Sequence, residues 1–376
     1  MPGHCTTARI LMWIPIAVAA LTACADPPGE RDVLAAAVED ARIRAGAPAM
    51  AAATIDLDHI VVAATGLRVQ GGSDQVTDND SFHLGSVTKS MTSTVAASLV
   101  RDGIISWDAR MVDVLPELAT SARAVYREVT LGQLLQHRSG LPAFGLFSDL
   151  DAVPPSTGSA PERRRAFATW VVTQAPESNL DTFGYSNAGY VVATAMLEQA
   201  AGESWEALIG DRVFEPLELE TAGLGWPAAG GVPAPIGHYS LDGVTLIAHD
   251  DAGEQFPDLM SPAGNVSMSI GEFGRFVQAH LRGMAGRDDL LPAAAIEALH
   301  TSTYPEIVPG ASYAFGWITT EVDGVRADVH NGSADTFFAL MVVQPDRGRA
   351  VVAVANAATE RVDEELTALV ETLVQQ

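Results

Sequence analysis

The chain has 376 residues, of which 48% are hydrophobic, and a formal net charge of −25 at pH 7. This length allows one large or two ordinary domains with a sizeable core. The acidity argues against nucleic-acid binding, and the basic triplet 163–165 is most simply the solvated side of a helix. No paired Cys motif and no HExxH occurs, so the sequence predicts neither a metal site nor a cofactor.

The first residues have the pattern of an export segment. The apolar run 10–20 is too short to span a membrane as a stable helix, and it ends in Leu21-Thr22-Ala23-Cys24. These four residues resemble the lipobox of bacterial lipoproteins. The resemblance implies a signal peptide over 1–23, an acylated Cys24 and a linker over 24–30. The mature protein would then be exported and held on the bacterial cell membrane by lipid, facing the periplasm or the exterior. An ordinary secretory signal is the alternative.

The next stretch predicts a helix, a hairpin and a second helix. Residues 31–45 place apolar side chains on one side of a helix. Residues 49–56 and 59–66 are predicted to be the two strands of a hairpin. A polar loop over 71–80 then leads to the helix that begins near Ser86.

The middle of the chain, from about 104 to 201, is mainly helical. Helices are predicted at 131–138, 161–174 and 187–201. Between the first two lies the stretch 143–160, which is rich in Gly, Pro, Ser and Asp. A loop of this length in a compact protein is usually functional or mobile.

The last third changes to strand patterns. A hairpin is predicted over 237–249 and a helix over 270–281. The remaining predicted elements are four strands and a closing amphipathic helix, at 313–322, 325–330, 336–344, 349–356 and 360–373.

Strands at both ends of the chain and helices between them predict an α/β fold of the α+β type. An antiparallel sheet would be assembled from both chain ends and flanked by helices, with a mostly helical region inserted. The domain would cover 31–376, with its α/β part at about 31–95 and 255–376. The helical part would cover about 96–254.

The most informative stretch is Ser86-Val87-Thr88-Lys89. In the first turn of a helix, Ser86 and Lys89 lie on one face, and the Ser86 hydroxyl meets the free N–H groups of the helix N-terminus. A tetrapeptide of this kind also occurs by chance, as a helix start followed by an exposed lysine. However, Lys89 is the only lysine in the chain. A buried lysine can lose its proton and act as a base, whereas arginine does not, which favours a nucleophilic Ser86.

Two further boxes carry polar groups. Tyr185 and Asn187 precede a helix, and the phenol could act as a base if a neighbouring positive charge lowered its pKa. His330, Asn331 and Gly332 end a strand, where glycine would let a ligand approach the backbone. Taken alone, each box is weak, because a turn with an N-cap or an exposed histidine has the same pattern. No G-x-S-x-G is present, which excludes an α/β-hydrolase nucleophile elbow.

In this order, the boxes resemble the serine hydrolases of the penicillin-binding-protein and class C β-lactamase-like family. The resemblance covers nearly all of 31–376. It includes three further markers, Leu134-Leu135-Gln136-His137-Arg138-Ser139-Gly140-Leu141-Pro142, Ser261-Pro262-Ala263-Gly264-Asn265 and Tyr313-Ala314-Phe315-Gly316-Trp317. Asn265 departs from the second Gly of the family's P-A-G-G box, and the sequence offers no chemical reason for this.

The resemblance implies roles for these residues. Ser86 would attack a carbonyl, and Lys89 and Tyr185 together would take and return its proton, with the identity of the base left open. The backbone N–H groups of Ser86 and Ser333 would form the oxyanion hole. Asn187 would bind the substrate amide and orient Lys89.

The third box, His330-Asn331-Gly332, would bind substrate where many relatives carry Lys-Thr-Gly. With an ordinary pKa of about 6.5, His330 would bind a substrate carboxylate better as pH falls. Relatives with histidine at this position include D-alanyl-D-alanine carboxypeptidases, D-amino-acid peptidases and esterases.

The sequence therefore predicts a serine hydrolase that forms an acyl-enzyme on an amide or ester. A D-Ala-D-Ala-type peptidase or an esterase ranks above a β-lactamase, because His330 is not a permanent cation. The partners would be a small peptide, ester or β-lactam substrate and the membrane, through the lipid on Cys24. A non-catalytic surface lipoprotein that uses the fold as a binding platform is the alternative of another class.

Overall fold

The computed structural model describes residues 29–249, 256–322 and 324–376. The predicted signal segment with Cys24 lies outside these residues. The strands are Ala49–Asp56 (β1), Ile60–Gly66 (β2), Ser81–His83 (β3), Gly223–Leu224 (β4), His238–Ser240 (β5), Leu246–Ala248 (β6), Val266–Ser269 (β7), Ser312–Tyr313 (β8), Ile318–Val322 (β9), Val325–Ser333 (β10), Phe338–Gln344 (β11) and Arg349–Ala355 (β12). The α-helices are Glu30–Ala45 (α1), Thr88–Arg101 (α2), Met111–Val114 (α3), Leu118–Ser121 (α4), Leu131–Leu135 (α5), Ala160–Val171 (α6), Asn187–Ala201 (α7), Trp205–Ile209 (α8), Ser261–Gly264 (α9), Ile270–Met284 (α10), Ala293–Leu299 (α11) and Glu360–Gln375 (α12).

The centre of the fold is a seven-stranded antiparallel sheet in the order β2-β1-β12-β11-β10-β9-β8. Strand β1 from the start of the chain pairs with β12 from its end, with Met50 opposite Ala355. The predicted fold class, an antiparallel sheet built from both chain ends with helices around it, is confirmed.

Both faces of the sheet are covered, which explains why β1 is apolar without alternation. Ala51 and Ala53 face one core, which α2 and α10 help to form, whereas Met50 and Ala52 face a second core under α1 and α12. Small alanine side chains let helices lie close on both faces of the sheet. Because both faces are buried, β1 has no solvent-facing positions that would carry polar side chains. Helix α2, which starts next to Ser86, is buried over almost its whole length.

Two predicted elements differ from the structure, and one small sheet was not predicted. The predicted strand 313–322 is interrupted between β8 and β9, where Gly316 has φ +77° and a Cβ would lie 2.6 Å from the Ser90 backbone. The small sheet β3-β7-β4 was not predicted, because strands of two to four residues show no usable periodicity. The helix predicted over 131–138 ends at Leu135, since His137 has φ +58°.

The interpretation of the basic triplet as a solvated helix face is wrong for Arg164. Its side chain is fully buried and binds Glu198 at 2.5 Å and Glu206 at 2.9 Å. These ion pairs join α6 to α7 and α8 within the helical region. Removing one partner would leave a buried charge uncompensated, which is strongly destabilising.

No helix within the described ranges is long and apolar enough to cross a membrane. In the same part of the chain, no three His, Cys, Asp or Glu side chains gather in a group that could hold a metal ion.

Candidate active site

Ser86 and Lys89 lie together at the start of α2, as the helical spacing predicts. Ser86 belongs to a 3₁₀ turn, Gly85–Val87, that leads directly into α2. The Lys89 Nζ lies 3.0 Å from the Ser86 Oγ and 2.6 Å from the carbonyl oxygen of Ala263, to which it donates a hydrogen bond. The Ser86 side chain keeps partial contact with solvent, whereas Lys89 is fully buried.

The burial of Lys89 has a direct chemical consequence. Desolvation disfavours the ammonium and lowers the pKa of Lys89 well below its ordinary value, and no carboxylate of the described residues opposes this shift. The neutral amine can donate one N–H to Ala263 and direct its lone pair toward the Ser86 hydroxyl. This arrangement can remove a proton from Ser86 as its oxygen attacks a carbonyl.

Tyr185 lies beside the same pair, with its ring centroid 4.9 Å from the Lys89 Nζ. Although part of the residue remains accessible, the phenol is crowded by protein, and this burial raises the pKa of Tyr185 above its ordinary value. A hydrogen bond with Ser86 opposes the shift without cancelling it. The condition under which the phenol could act as a base, a pKa lowered by neighbouring positive charge, is therefore not met in the structure.

His137 supports Tyr185 from behind, a role the sequence marker around it did not reveal. Its ring centroid lies 4.2 Å from that of Tyr185 and 4.6 Å from that of Tyr313. Its Nδ1 accepts a hydrogen bond from the Ser186 backbone N–H at 3.0 Å. Through these contacts, the buried ring holds the start of α7 and the phenol of Tyr185 in position.

Asn187 is held by the loop that follows Pro142. Its backbone N–H donates to Ala143 O at 2.8 Å, and its Nδ2 donates to Phe144 O at 2.7 Å. Because Nδ2 is used in this way, Oδ1 is the free end of the amide, and it is buried without a hydrogen-bond partner among the described residues. The implied orientation of Lys89 by Asn187 is not seen, since the hydrogen bonds of Lys89 go to Ser86 and Ala263.

The His330 side chain is buried, and both of its ring nitrogens form hydrogen bonds with other groups of the protein. Its Nδ1 donates to the carbonyl oxygen of Asn331 at 2.5 Å, so its Nε2 accepts from the Tyr313 hydroxyl at 3.0 Å. Burial, aided by nearby Lys89, lowers the pKa of His330 to about 4. The expectation that this histidine titrates near its ordinary pKa is therefore wrong, and its ring nitrogens are not free for a substrate carboxylate.

Gly332 brings β10 against the Ser86 turn. A Cβ at Gly332 would lie 2.0 Å from Leu84 O and 2.8 Å from the Ser86 backbone nitrogen. Gly85 has φ +52°, and a Cβ there would lie 2.7 Å from the Ser333 backbone nitrogen. The glycine in this box thus admits the protein's own backbone. The two N–H groups expected to bind an oxyanion, those of Ser86 and Ser333, come close together through this contact.

Asn331 has an exposed side chain and alternates with buried His330 and Gly332 along β10. Successive side chains of a strand point to opposite faces, so Asn331 points away from the Ser86 turn. It is not among the residues that line the cavity beside Ser86.

Asn265, the departure from the family's P-A-G-G box, has a structural explanation. Its buried side chain donates from Nδ2 to the Ser261 hydroxyl at 2.9 Å, and its Oδ1 lies 3.5 Å from His83 Nε2. Its backbone carbonyl accepts from Gly225. The side chain therefore ties α9, which supplies the Ala263 carbonyl to Lys89, to strand β3.

A narrow cavity of about 70 Å³ opens beside Ser86. Its polar lining comes from Ser86, Asn187, Ser333 and Asp335. The other side is largely apolar and includes Phe144, Leu146, Phe147, Leu150, Phe256 and Met260. Much of this wall belongs to the loop predicted over 143–160, which therefore borders the candidate site. A larger cavity of about 600 Å³ near α1 contains no serine–lysine pair, so size alone does not locate the chemistry.

Comparison with known proteins agrees with this geometry. Penicillin-binding protein 4 from Amycolatopsis lactamdurans is 28% identical over 300 residues, 78% of this chain and 76% of that protein. D-aminopeptidase from Cereibacter sphaeroides is 24% identical over 67% of this chain and 45% of that protein. The crystal structure of a D-stereospecific amidohydrolase from Streptomyces sp. shares the fold, with a TM-score of 0.69 at 22% identity, over 90% of this chain and 98% of that one.

The family itself follows from a match along almost the whole chain. Residues 34–375 match the family model described as Beta-lactamase, and this range contains Ser86, Lys89, Tyr185 and His330. This chain therefore belongs to the Beta-lactamase family and is a serine hydrolase of the penicillin-binding-protein-like type.

Proposed function

We propose that this protein is a peptidase or esterase that forms an acyl-enzyme on Ser86. The observation that carries the proposal is the fully buried Lys89, whose Nζ lies 3.0 Å from the Ser86 Oγ. Burial lowers the pKa of Lys89 well below its ordinary value, and no carboxylate of the described residues opposes this shift, so the amine gives up its proton more readily and can act as a base. A serine with such a neighbour is an activated nucleophile.

In the acylation step, Lys89 accepts the Ser86 proton while Oγ bonds to the substrate carbonyl carbon. The oxygen of the tetrahedral intermediate takes the negative charge, and the backbone N–H groups of Ser86 and Ser333 stabilise it. The intermediate then collapses as the bond to the leaving nitrogen or oxygen breaks. Tyr185 relays the proton from Lys89 to the leaving group, which departs as a neutral amine or alcohol.

In the deacylation step, water attacks the acyl-enzyme carbonyl and Lys89 accepts the proton of that water. The bond from the carbonyl carbon to Ser86 Oγ breaks, Oγ regains a proton from Lys89, and the acid product leaves. Lys89 therefore returns to its neutral form in each half of the cycle. The phenol of Tyr185, which His137 holds in position, stays protonated in the resting enzyme, consistent with its raised pKa.

A peptidase or esterase is favoured over an efficient β-lactamase. The cavity beside Ser86 presents no Arg or Lys to bind a β-lactam carboxylate among its described lining residues. His330, which occupies the third box, is neutral and already bonded to Tyr313. The name of the relative D-aminopeptidase also favours a peptide amide over a β-lactam as substrate.

A labelling experiment separates the enzyme from a non-catalytic binding platform. A fluorophosphonate probe, followed by peptide mass spectrometry, is expected to modify Ser86 of the wild-type protein and to leave Ser86→Ala unlabelled. The exposed variant Ser73→Ala controls for mutation as such and is expected to label at the wild-type rate. Label on a different serine, or no label on a folded wild-type protein, would contradict the proposal.

We also propose that the mature protein begins at an acylated Cys24 and is held on the membrane by lipid. The support is the sequence Leu21-Thr22-Ala23-Cys24 after an apolar run. Mass spectrometry of the mature N-terminal peptide is expected to show acyl chains on Cys24, and Cys24→Ser is expected to move the protein from the membrane fraction to the soluble fraction. A mature protein that starts elsewhere and carries no lipid would overturn this proposal.

A further inference from the structure

The substrate side of the candidate site carries a hydrogen-bond acceptor that receives no hydrogen bond from the described residues. Asn187 lines the cavity beside Ser86, and its Oδ1 is buried without a hydrogen-bond partner among the described residues. Its orientation follows from the bond of Nδ2 to Phe144 O, because rotating the amide would set two oxygens against each other. A buried acceptor without a donor is costly, so a bound substrate that supplies an N–H there is favoured.

The second observation is the charge of the cavity. Asp335 is the only charged side chain among the described residues that line it. Its backbone N–H donates to the Ser333 hydroxyl, which ties it to the end of β10. No Arg, Lys or His side chain of the described chain pairs with its carboxylate. The cavity is therefore arranged to attract a cation and to repel a carboxylate.

The third observation concerns the apolar wall opposite these polar groups. Phe144, Phe147 and Phe256 form most of it, and Leu146 is 66% exposed at its edge. Phe147 also contacts Phe256 edge to face, with ring centroids 5.4 Å apart. An aliphatic or aromatic substrate side chain would remove this surface from water.

We infer that the preferred substrates are amides of apolar amino acids with a free, protonated amino group. The ammonium would donate to the Asn187 Oδ1 and pair with the Asp335 carboxylate, and the side chain would lie against the aromatic wall. This inference rests on the proposed acyl-enzyme chemistry at Ser86 and names its substrate class. Asn187 and Asp335 act as specificity residues, and the chemistry remains with Ser86 and Lys89.

The test compares three p-nitroanilides with the same apolar side chain. These are leucine p-nitroanilide, its N-acetyl derivative and 4-methylpentanoyl p-nitroanilide, which lacks the amino group. The first compound is measured as each of its two enantiomers. The full chain is expected to hydrolyse one enantiomer of the free amine with a kcat/KM about 10- to 100-fold above the other two compounds, as for a charge-assisted hydrogen bond. The preference is expected to shrink as ionic strength rises.

Asp335→Asn tests the charge with little change in shape. The quantity compared is kcat/KM for leucine p-nitroanilide divided by kcat/KM for 4-methylpentanoyl p-nitroanilide. The variant is expected to lower this ratio about 5-fold, mainly by raising KM for the free amine. The effect is modest because the carboxylate is exposed. The control Asp346→Asn removes the same charge at an exposed position in the β11–β12 turn and is expected to leave the ratio unchanged.

The outcomes distinguish this inference from the proposed function. Equal hydrolysis of the three compounds, or an Asp335→Asn ratio equal to that of wild type, would overturn the inference while Ser86 chemistry stands. Hydrolysis of none of them would also overturn it, and fluorophosphonate labelling of Ser86 would then show whether the hydrolase proposal survives.

Discussion

Lys89→Arg is expected to lower kcat/KM by about 10²- to 10⁴-fold, the range in which general base catalysis usually contributes. The guanidinium carries a permanent positive charge, because it does not lose its proton in a protein, and so it cannot accept the proton of Ser86. Steady-state hydrolysis of the best substrate measures the effect. The wild-type rate is expected to rise with pH through the lowered pKa of Lys89, and the Arg variant is expected to lack this dependence.

The matched control for this variant is Lys89→Met, which keeps an unbranched side chain and removes the amine. Both variants are expected to lose activity to a similar degree, although the buried guanidinium also destabilises the fold. Thermal unfolding must therefore accompany the kinetics, so that a loss of folded protein is not taken for a loss of base. An Arg variant that keeps most of the activity would show that positive charge alone is required at this position.

A second large effect is expected in stability under mild acid. Burial lowers the pKa values of four histidines, His83, His137, His280 and His330, and those of His83 and His330 fall to about 4. In the unfolded chain, these groups titrate at about 6.5. Between pH 6.5 and 4, the unfolded state therefore binds more protons than the folded state, so the free energy of unfolding falls as pH falls.

The size of the loss in unfolding free energy follows from the pH range between the pKa values of these histidines in the unfolded and the folded state. Each such histidine lowers the free energy of unfolding by up to about 1.4 kcal/mol per pH unit, and His83 and His330 by about 3 kcal/mol each at pH 4. Urea unfolding at pH 7.5, 6.5, 5.5 and 5.0 measures the slope before most carboxylates titrate.

The variant His280→Gln removes one of these buried groups, whose ring contacts Thr94 and His300. It is expected to reduce the pH slope of the unfolding free energy. His59→Gln alters an exposed histidine and is expected to leave the slope unchanged. A stability that is flat between pH 7.5 and 5.0 would show that the histidines are not held neutral in the folded protein.

Long elements with clear periodicity were predictable from the sequence. Helix α7 was predicted with its observed bounds, Asn187–Ala201, because Ser186 caps its start and Gly202 ends it in a left-handed conformation. The β1–β2 hairpin and the closing helix α12 were also predicted within a few residues. These signals are local, since capping and apolar spacing act within a few turns of chain.

The sequence by itself also determined the pairing of Ser86 with Lys89, because three residues in a helical turn bring two side chains together whatever surrounds them. The tertiary structure decided what this pair can do. The pKa of Lys89 falls because its side chain is fully buried where α2 packs against α7 and α9. The carbonyl that accepts its hydrogen bond belongs to Ala263, 174 residues away. The pKa of His330 falls because burial and nearby Lys89 disfavour its charged form, and Tyr313 on β8 binds its Nε2. Desolvation and hydrogen bonding depend on which distant segments pack together, so local sequence does not determine them.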